Sequence, residues 1–256
     1  MSDVEIQTPR GLVLSGTFVH PVDATDAAVL FSHSLLHNRH SGQYFDRLGR
    51  YYRANGYATL EFDYSGHGAS SDNIITLEHC VEDLRAASGW LHDQGFSRQI
   101  LHGHAFGALS ALAAKPKAVE TMVLSELITG PVSYDWDAIF SAVQLEELEE
   151  HGVTTIPDDS PGTRQNFTIS KQTLADLSLV NSDAILSGLN HPVLVIHDQD
   201  DIDMGLLDMT QQHFARFPDG SKVEVFRDVH CGADQTFDVL ADVCVNWAKT
   251  HVPVLR

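Results

Sequence analysis

The sequence predicts an α/β domain: a mostly parallel central sheet with helices on both faces and a small helical insertion. Three observations carry that prediction. Short apolar runs alternate with amphipathic segments along most of the 256 residues, the pattern of strand–helix–strand units. Hydrophobic residues make up 43% and charged residues 20%, a balance that can bury a core and argues against disorder. The length suits one large domain, because α/β folds often reach ~250 residues as one unit. Residues 1–256 are therefore read as a single domain.

Each element has its own signal. Residues 11–20 look like an antiparallel strand feeding the sheet edge. Residues 27–33 (AAVLFSH) form a buried apolar run. Over 42–54, Tyr44, Phe45, Leu48, Tyr51 and Tyr52 recur at helical spacing, and Asn55-Gly56 supplies a stop. Residues 57–63 (YATLEFD) read as the next strand. Residues 76–92 read as a strong helix, with Leu77, Val81, Leu84 and Leu91 near one stripe. A short strand at 99–102, a small-residue helix at 108–114 and a strand at 121–125 follow. Residues 192–198 (PVLVIHD) are the clearest buried strand, and 208–217, 222–227 and 237–250 read as helix, strand and helix. In such sheets the ligand site lies at the carboxyl ends of the strands.

Residues 131–191 break the rhythm. No strand pair stands out there. Residues 137–152 read as an acidic helix, 157–162 as loop and 170–189 as one or two short helices. The stretch is longer than a βα connection needs. It is read as a cap over the sheet. Tyr134, Trp136, Phe140 and Phe167 are its candidates for lining a substrate pocket, with core packing as the alternative role.

Charge and composition narrow the partners. The formal net charge is −19, which repels phosphate backbones and anionic lipid, so neither nucleic acid nor a membrane surface is an expected partner. No run approaches the roughly 18 apolar residues of a membrane span, and MSDVEIQTPR lacks the order of a signal peptide. Cys80, Cys231 and Cys244 are too few for a disulfide framework and suit a reducing, cytoplasmic setting. His33, His37 and His40 lack the companions of a four-ligand set, so no metal is expected. A small molecule is the expected partner, and a homodimer stays open.

The chemistry concentrates in Gly103-His104-Ala105-Phe106-Gly107. The segment follows a strand and opens a helix. Glycines two before and two after a central residue permit a very tight turn, which holds that residue in a strained backbone with its side chain above the sheet. A nucleophile belongs at that position, and here it is Ala105.

With these residues the chain resembles the α/β-hydrolases. It is similar to the small soluble esterases and the serine aminopeptidase-like group that includes monoglyceride lipases and feruloyl esterases. The elbow would usually read G-H-S-F-G. Residues 62–70 (FDYSGHGAS) match the family's D-x-x-G-x-G-x-S loop, and 192–201 (PVLVIHDQDD) match P-x-L-x-I-H-G-x-x-D, with Asp198 in place of Gly. The resemblance implies the following roles. Asp201 is the triad acid, ahead of Asp198, Asp200 and Asp203, with Glu126 a minor rival. His230 is the base, which takes the nucleophile's proton while the acid fixes its tautomer. The backbone N–H groups of Leu35 and Phe106 form the oxyanion hole. His33 is structural. Ser34 and Cys231 are remote candidates for a displaced nucleophile.

An alanine methyl cannot attack a carbonyl. The chain is therefore read as a serine hydrolase for a small carboxylic ester, inactive as written, with Ala105 an engineered Ser→Ala change. A natural binding protein on the same scaffold is the alternative, and an amidase or thioesterase is the alternative chemistry. The proposed acyl transfer needs no cofactor.

Overall fold

A sheet that is apolar on both sides must be covered on both sides, and this chain winds its helices accordingly. The computed structural model describes residues 1–22, 24, 26–227 and 234–255. The chain opens with β1 (Ser2–Gln7) and β2 (Val13–Val19), an antiparallel pair that sets Ile6 opposite Leu14. Next come β3 (Ala27–Ser32), α1 (Tyr44–Ala54), β4 (Ala58–Phe62) and the two-residue β5 (Ile74–Ile75). Then follow α2 (Leu77–Asp93), β6 (Arg98–His104), α3 (Phe106–Ala114) and β7 (Val119–Ser125). A long excursion carries α4 (Trp136–Ile139), α5 (Ala142–His151), β8 (Val153–Pro157), β9 (Asn166–Ser170), α6 (Lys171–Ser178) and α7 (Ser182–Leu186). The chain returns through β10 (Val193–His197), α8 (Gln199–Asp203), α9 (Leu206–His213), β11 (Lys222–Val225) and α10 (Asp234–His251).

The main sheet has the order β1-β2-β4-β3-β6-β7-β10-β11. β1 and β2 are antiparallel, and every pairing from β4 onward is parallel. Period-two alternation sorts its side chains to two cores. Leu30, Leu60, Leu101 and Met122 join Leu84, Leu91, Leu109 and Leu112 of α2 and α3. Val29, Phe31, Ile100 and Val123 face the other way, onto Phe45, Leu48 and Tyr52 of α1 and Leu240, Ala241 and Ala248 of α10. Burial of each large side chain contributes about 1.5–3 kcal/mol, so neither face of the sheet can be left uncovered. Among the described residues no helix is long and apolar enough to cross a membrane.

The elements read from the sequence are present in the same order, with boundaries shifted by a few residues. β1 and α8 had no separate sequence reading. The excursion corrects the sequence reading more deeply. It does contain a strand pair: β8 and β9 are antiparallel, and β5 joins β9 to make a three-stranded sheet. Thr154, Phe167 and Ile169 are buried along it, which fits β-branched and aromatic residues on a half-buried pleat. The expected single helix over 137–152 is two. Phe140 is extended, and Ser141 opens α5 with a capping box: its Oγ accepts from the Gln144 N–H, and the Gln144 side chain accepts from the Ser141 N–H. Gly152 ends that helix in the left-handed conformation. Of the one or two short helices expected over 170–189, there are two, α6 and α7.

Candidate active site

The turn from β6 to α3 is closed by its glycines. A Cβ on Gly103 would lie 2.8 Å from the Ala108 Cα, and one on Gly107 would collide with the Ser32 carbonyl. Between them Ala105 has φ 51° and ψ −117°, a conformation that costs of order 1–3 kcal/mol for a non-glycine residue. Its N–H donates to the Ser125 carbonyl at 2.9 Å, and its carbonyl accepts from the Ala108 N–H at 2.9 Å. Phe106, buried, is the first residue of α3, where the helix dipole favours negative charge. Leu36, Ala105 and Glu126, which follow β3, β6 and β7, all have positive φ. Backbone strain therefore gathers at the carboxyl ends of three adjacent strands, where this class of sheet places its ligands.

The loop after β3 is tied to the elbow. The Ser32 Oγ donates to the Gly107 carbonyl at 2.8 Å. The His33 Nε2 accepts from the Tyr64 N–H at 3.1 Å, so its Nδ1 carries the proton and donates to the Ser34 carbonyl at 2.8 Å. Burial lowers its pKa to about 4, so the ring is neutral and structural, as the sequence suggests. Leu35, the expected second oxyanion donor, follows in this loop and packs partly against the core. Beneath lies Asp63, buried, which accepts from the Arg39 guanidinium, from the Arg39 N–H at 2.8 Å and from the Ala69 N–H at 3.0 Å.

Asp201 sits on α8 and is 2% exposed. The Asp198 that replaces the expected glycine caps this helix: its Oδ1 accepts from the Asp200 and Asp201 N–H groups. The Asp201 Oδ2 accepts from the His197 Nδ1–H at 2.8 Å, and the Thr210 hydroxyl donates to the His197 Nε2 at 2.8 Å, the tautomer that this network requires. His230 and Cys231 lie outside the described residues.

A cavity of about 370 Å³ opens here, lined among others by His33, His104, Ser125, Glu126, Asp198 and Asp201. None of Tyr134, Trp136, Phe140 and Phe167 lines it. The first three form a stack, with ring centroids 4.8 Å and 5.8 Å apart. Phe167 is buried against His67. Sequence reasoning missed His104 and Ser125. The His104 Nδ1 meets the Ser125 Oγ at 2.9 Å, and its Nε2 lies 3.5 Å from Glu126. Burial pushes His104 down to about 4. Burial, then Asp201, Asp198 and Asp200, raise Glu126 to about 7. The signal for Ser125 was its place at a strand end beside Glu126.

Among the described residues, one cluster has the donors for a metal ion: ligand atoms of His40, Asp46 and Glu61 lie within 4.8 Å of one another. His33 and His37 are not part of it. His40 is paired with Asp46 at 3.1 Å, and Glu61 faces Arg53 at 3.5 Å, so these charges balance within the protein.

Comparison with known proteins agrees with this fold. The model of the serine aminopeptidase S33 family matches residues 23–146. The structure of DcsB in complex with its substrate analogue is similar, with 17% identity over 98% of this chain and 99% of that one and a TM-score of 0.78. The esterase domain of a Rhodothermus marinus protein shares 23% identity over 98% of both chains, with a TM-score of 0.69. A Paleococcus ferrophilus monoacylglycerol lipase shares 15% over 93% of this chain and 99% of its own, also at 0.69. No curated protein matches the sequence.

Proposed function

We propose that this chain, which has the α/β-hydrolase fold, is a serine-hydrolase scaffold for a small carboxylic ester with its nucleophile position filled by Ala105. The observation that carries this reading is the backbone of Ala105. Its strained φ of 51° is held by two glycines that no larger residue could replace, yet an alanine methyl gains nothing from that presentation. A hydroxyl there would be lifted above the sheet beside the helix N-terminus. Buried Asp201 is the group we assign as triad acid, and His230 the one we assign as base. The Phe106 and Leu35 N–H groups would hold the oxyanion. The segment 131–191 serves as the cap. Chemically, the hydroxyl oxygen bonds to the acyl carbon, His230 takes its proton and returns it to the leaving alkoxide, and water then repeats the sequence on the acyl-enzyme.

The test is Ala105→Ser assayed on a panel of p-nitrophenyl esters. Loss of one triad member leaves only the rate from binding and the oxyanion hole, so restoration should raise kcat/KM by about 10³-fold or more. A folded serine variant that turns over esters no faster than the alanine parent defeats the reading and leaves a binding protein. Amide or thioester substrates that outpace esters would change the substrate class alone.

A further inference from the structure

A second nucleophile–base–acid array lies in the same cavity, one residue from the elbow alanine. We propose that Ser125, His104 and Glu126 form an accessory acyl-transfer site, with Ser125 as nucleophile, His104 as general base and Glu126 as the group that positions the imidazole.

The three side chains line one wall of the cavity. The Ser125 hydroxyl and the His104 Nδ1 are 2.9 Å apart, a normal hydrogen bond. The His104 Nε2 lies 3.5 Å from the Glu126 Oε1. With a carboxylate on that side, the imidazole carries its proton on Nε2, which leaves the Nδ1 lone pair to accept from Ser125. This is the order serine, histidine, acid that activates a hydroxyl. Burial pushes His104 down to about 4, so it is neutral at pH 7 but a weak base, which suits only acyl groups with fast leaving groups. The backbone argues the same way. Glu126 is held at φ 50°, and that backbone fixes a half-exposed acid among the residues that line the cavity. The Ala105 N–H donates to the Ser125 carbonyl, so the serine is anchored to the elbow itself.

The chemistry balances. The Ser125 oxygen bonds to an acyl carbon as its proton passes to the His104 Nδ1. The bond to the leaving alkoxide breaks, and the alkoxide takes the proton from His104. Water, activated by His104, then releases the acid. Fast-leaving aryl esters and fluorophosphonates are the class this site would take, because its serine lies in the cavity wall rather than on the elbow.

The test uses the chain as it stands, with alanine at 105. The protein is treated with a fluorophosphonate probe, and the adduct is mapped by mass spectrometry of its peptides. The expected result is one adduct, on Ser125. Ser125→Ala should abolish it, and His104→Gln should slow labelling by about 100-fold. Both variants are checked for unchanged thermal unfolding. The labelling rate should also rise with pH around 7 as Glu126 ionises, and Glu126→Gln should flatten that limb. Asp198, Asp200 and Asp201 face Glu126, and His104 faces it from β6, so each single Asp→Asn change should move the limb to lower pH. No adduct on Ser125, or equal labelling of the folded His104→Gln variant, overturns the proposal. The outcome is separate from the Ala105 reading. An Ala105→Ser, Ser125→Ala double variant that turns over esters, with an unlabelled parent, removes this site and leaves the elbow site intact.

Discussion

The elbow and the excursion over 131–191 are held by different forces. At the elbow, backbone meets backbone: Gly107 lies against the Ser32 and His33 carbonyls, and Gly103 against the main chain of α3. In the excursion, beyond the short β5–β9 pairing, side chains make the further joints. The Thr173 Oγ1 donates to the Ile75 carbonyl, and the Asp176 carboxylate accepts from the Leu77 N–H at 2.7 Å. The Asn38 amide reaches the Ser160 hydroxyl at 3.0 Å. Main-chain contacts cannot relax by changing rotamer, whereas side-chain contacts can be exchanged for water. The site therefore stands on a rigid floor under a segment that tolerates change.

Substitutions should expose that contrast. Gly107→Ala puts a methyl into two carbonyls and should cost about 4 kcal/mol or more, read as a lost or severely lowered urea midpoint. A loss under about 1 kcal/mol would show that the elbow can shift. Asp63→Asn comes next. It keeps the size of the side chain but leaves the Arg39 guanidinium, 12% exposed, without its carboxylate. Breaking such a pair costs about 3 kcal/mol, and denaturant unfolding would measure it. A neutral result would mean that Arg39 finds Thr17 and the Ser15 carbonyl, its other partners, sufficient.

The same contrast explains what could be read from the sequence. The elbow was legible because its requirement is local: two glycines at fixed offsets around one residue, after a strand and before a helix. Asp201 was picked out by the resemblance of its strand and loop, and it does line the cavity. The small sheet was not, because β9 finds its parallel partner in Ile74 and Ile75, far away in sequence. The two-residue β5 is too short to mark a strand by itself. The break at Phe140 was missed because the acidic run continues a helical pattern across it, and the capping box at Ser141 decides the boundary. The aromatic residues expected to line a pocket instead pack on each other, since nothing in a sequence says which way a ring faces.

The excursion should answer mutation more quietly. Thr173→Val keeps the shape of a fully buried side chain and deletes its hydrogen bond to the Ile75 carbonyl. The cost should be about 1–2 kcal/mol, with protease cleavage within 131–191 rising before global unfolding. A loss as large as that of Gly107→Ala would erase the distinction between the two regions.

The smallest effect tests charge where the two regions meet. Glu126 titrates near 7 in the folded protein, against an ordinary 4.5. The native state thus holds this proton more tightly than the unfolded chain does, and protonation favours folding. That contribution is complete below about pH 4.5 and is lost as pH rises through about 7. Glu126→Gln should remove it: the variant should lose less thermal stability than the parent across this window and should be the more stable of the two above pH 7. Because the side chain is 45% exposed, solvent screens the effect, and a shift of only a degree or two is expected. Parallel pH profiles of parent and variant would instead mean that neither burial nor Asp201, Asp198 and Asp200 raises Glu126. The acids at the cavity mouth would then not act as one cluster.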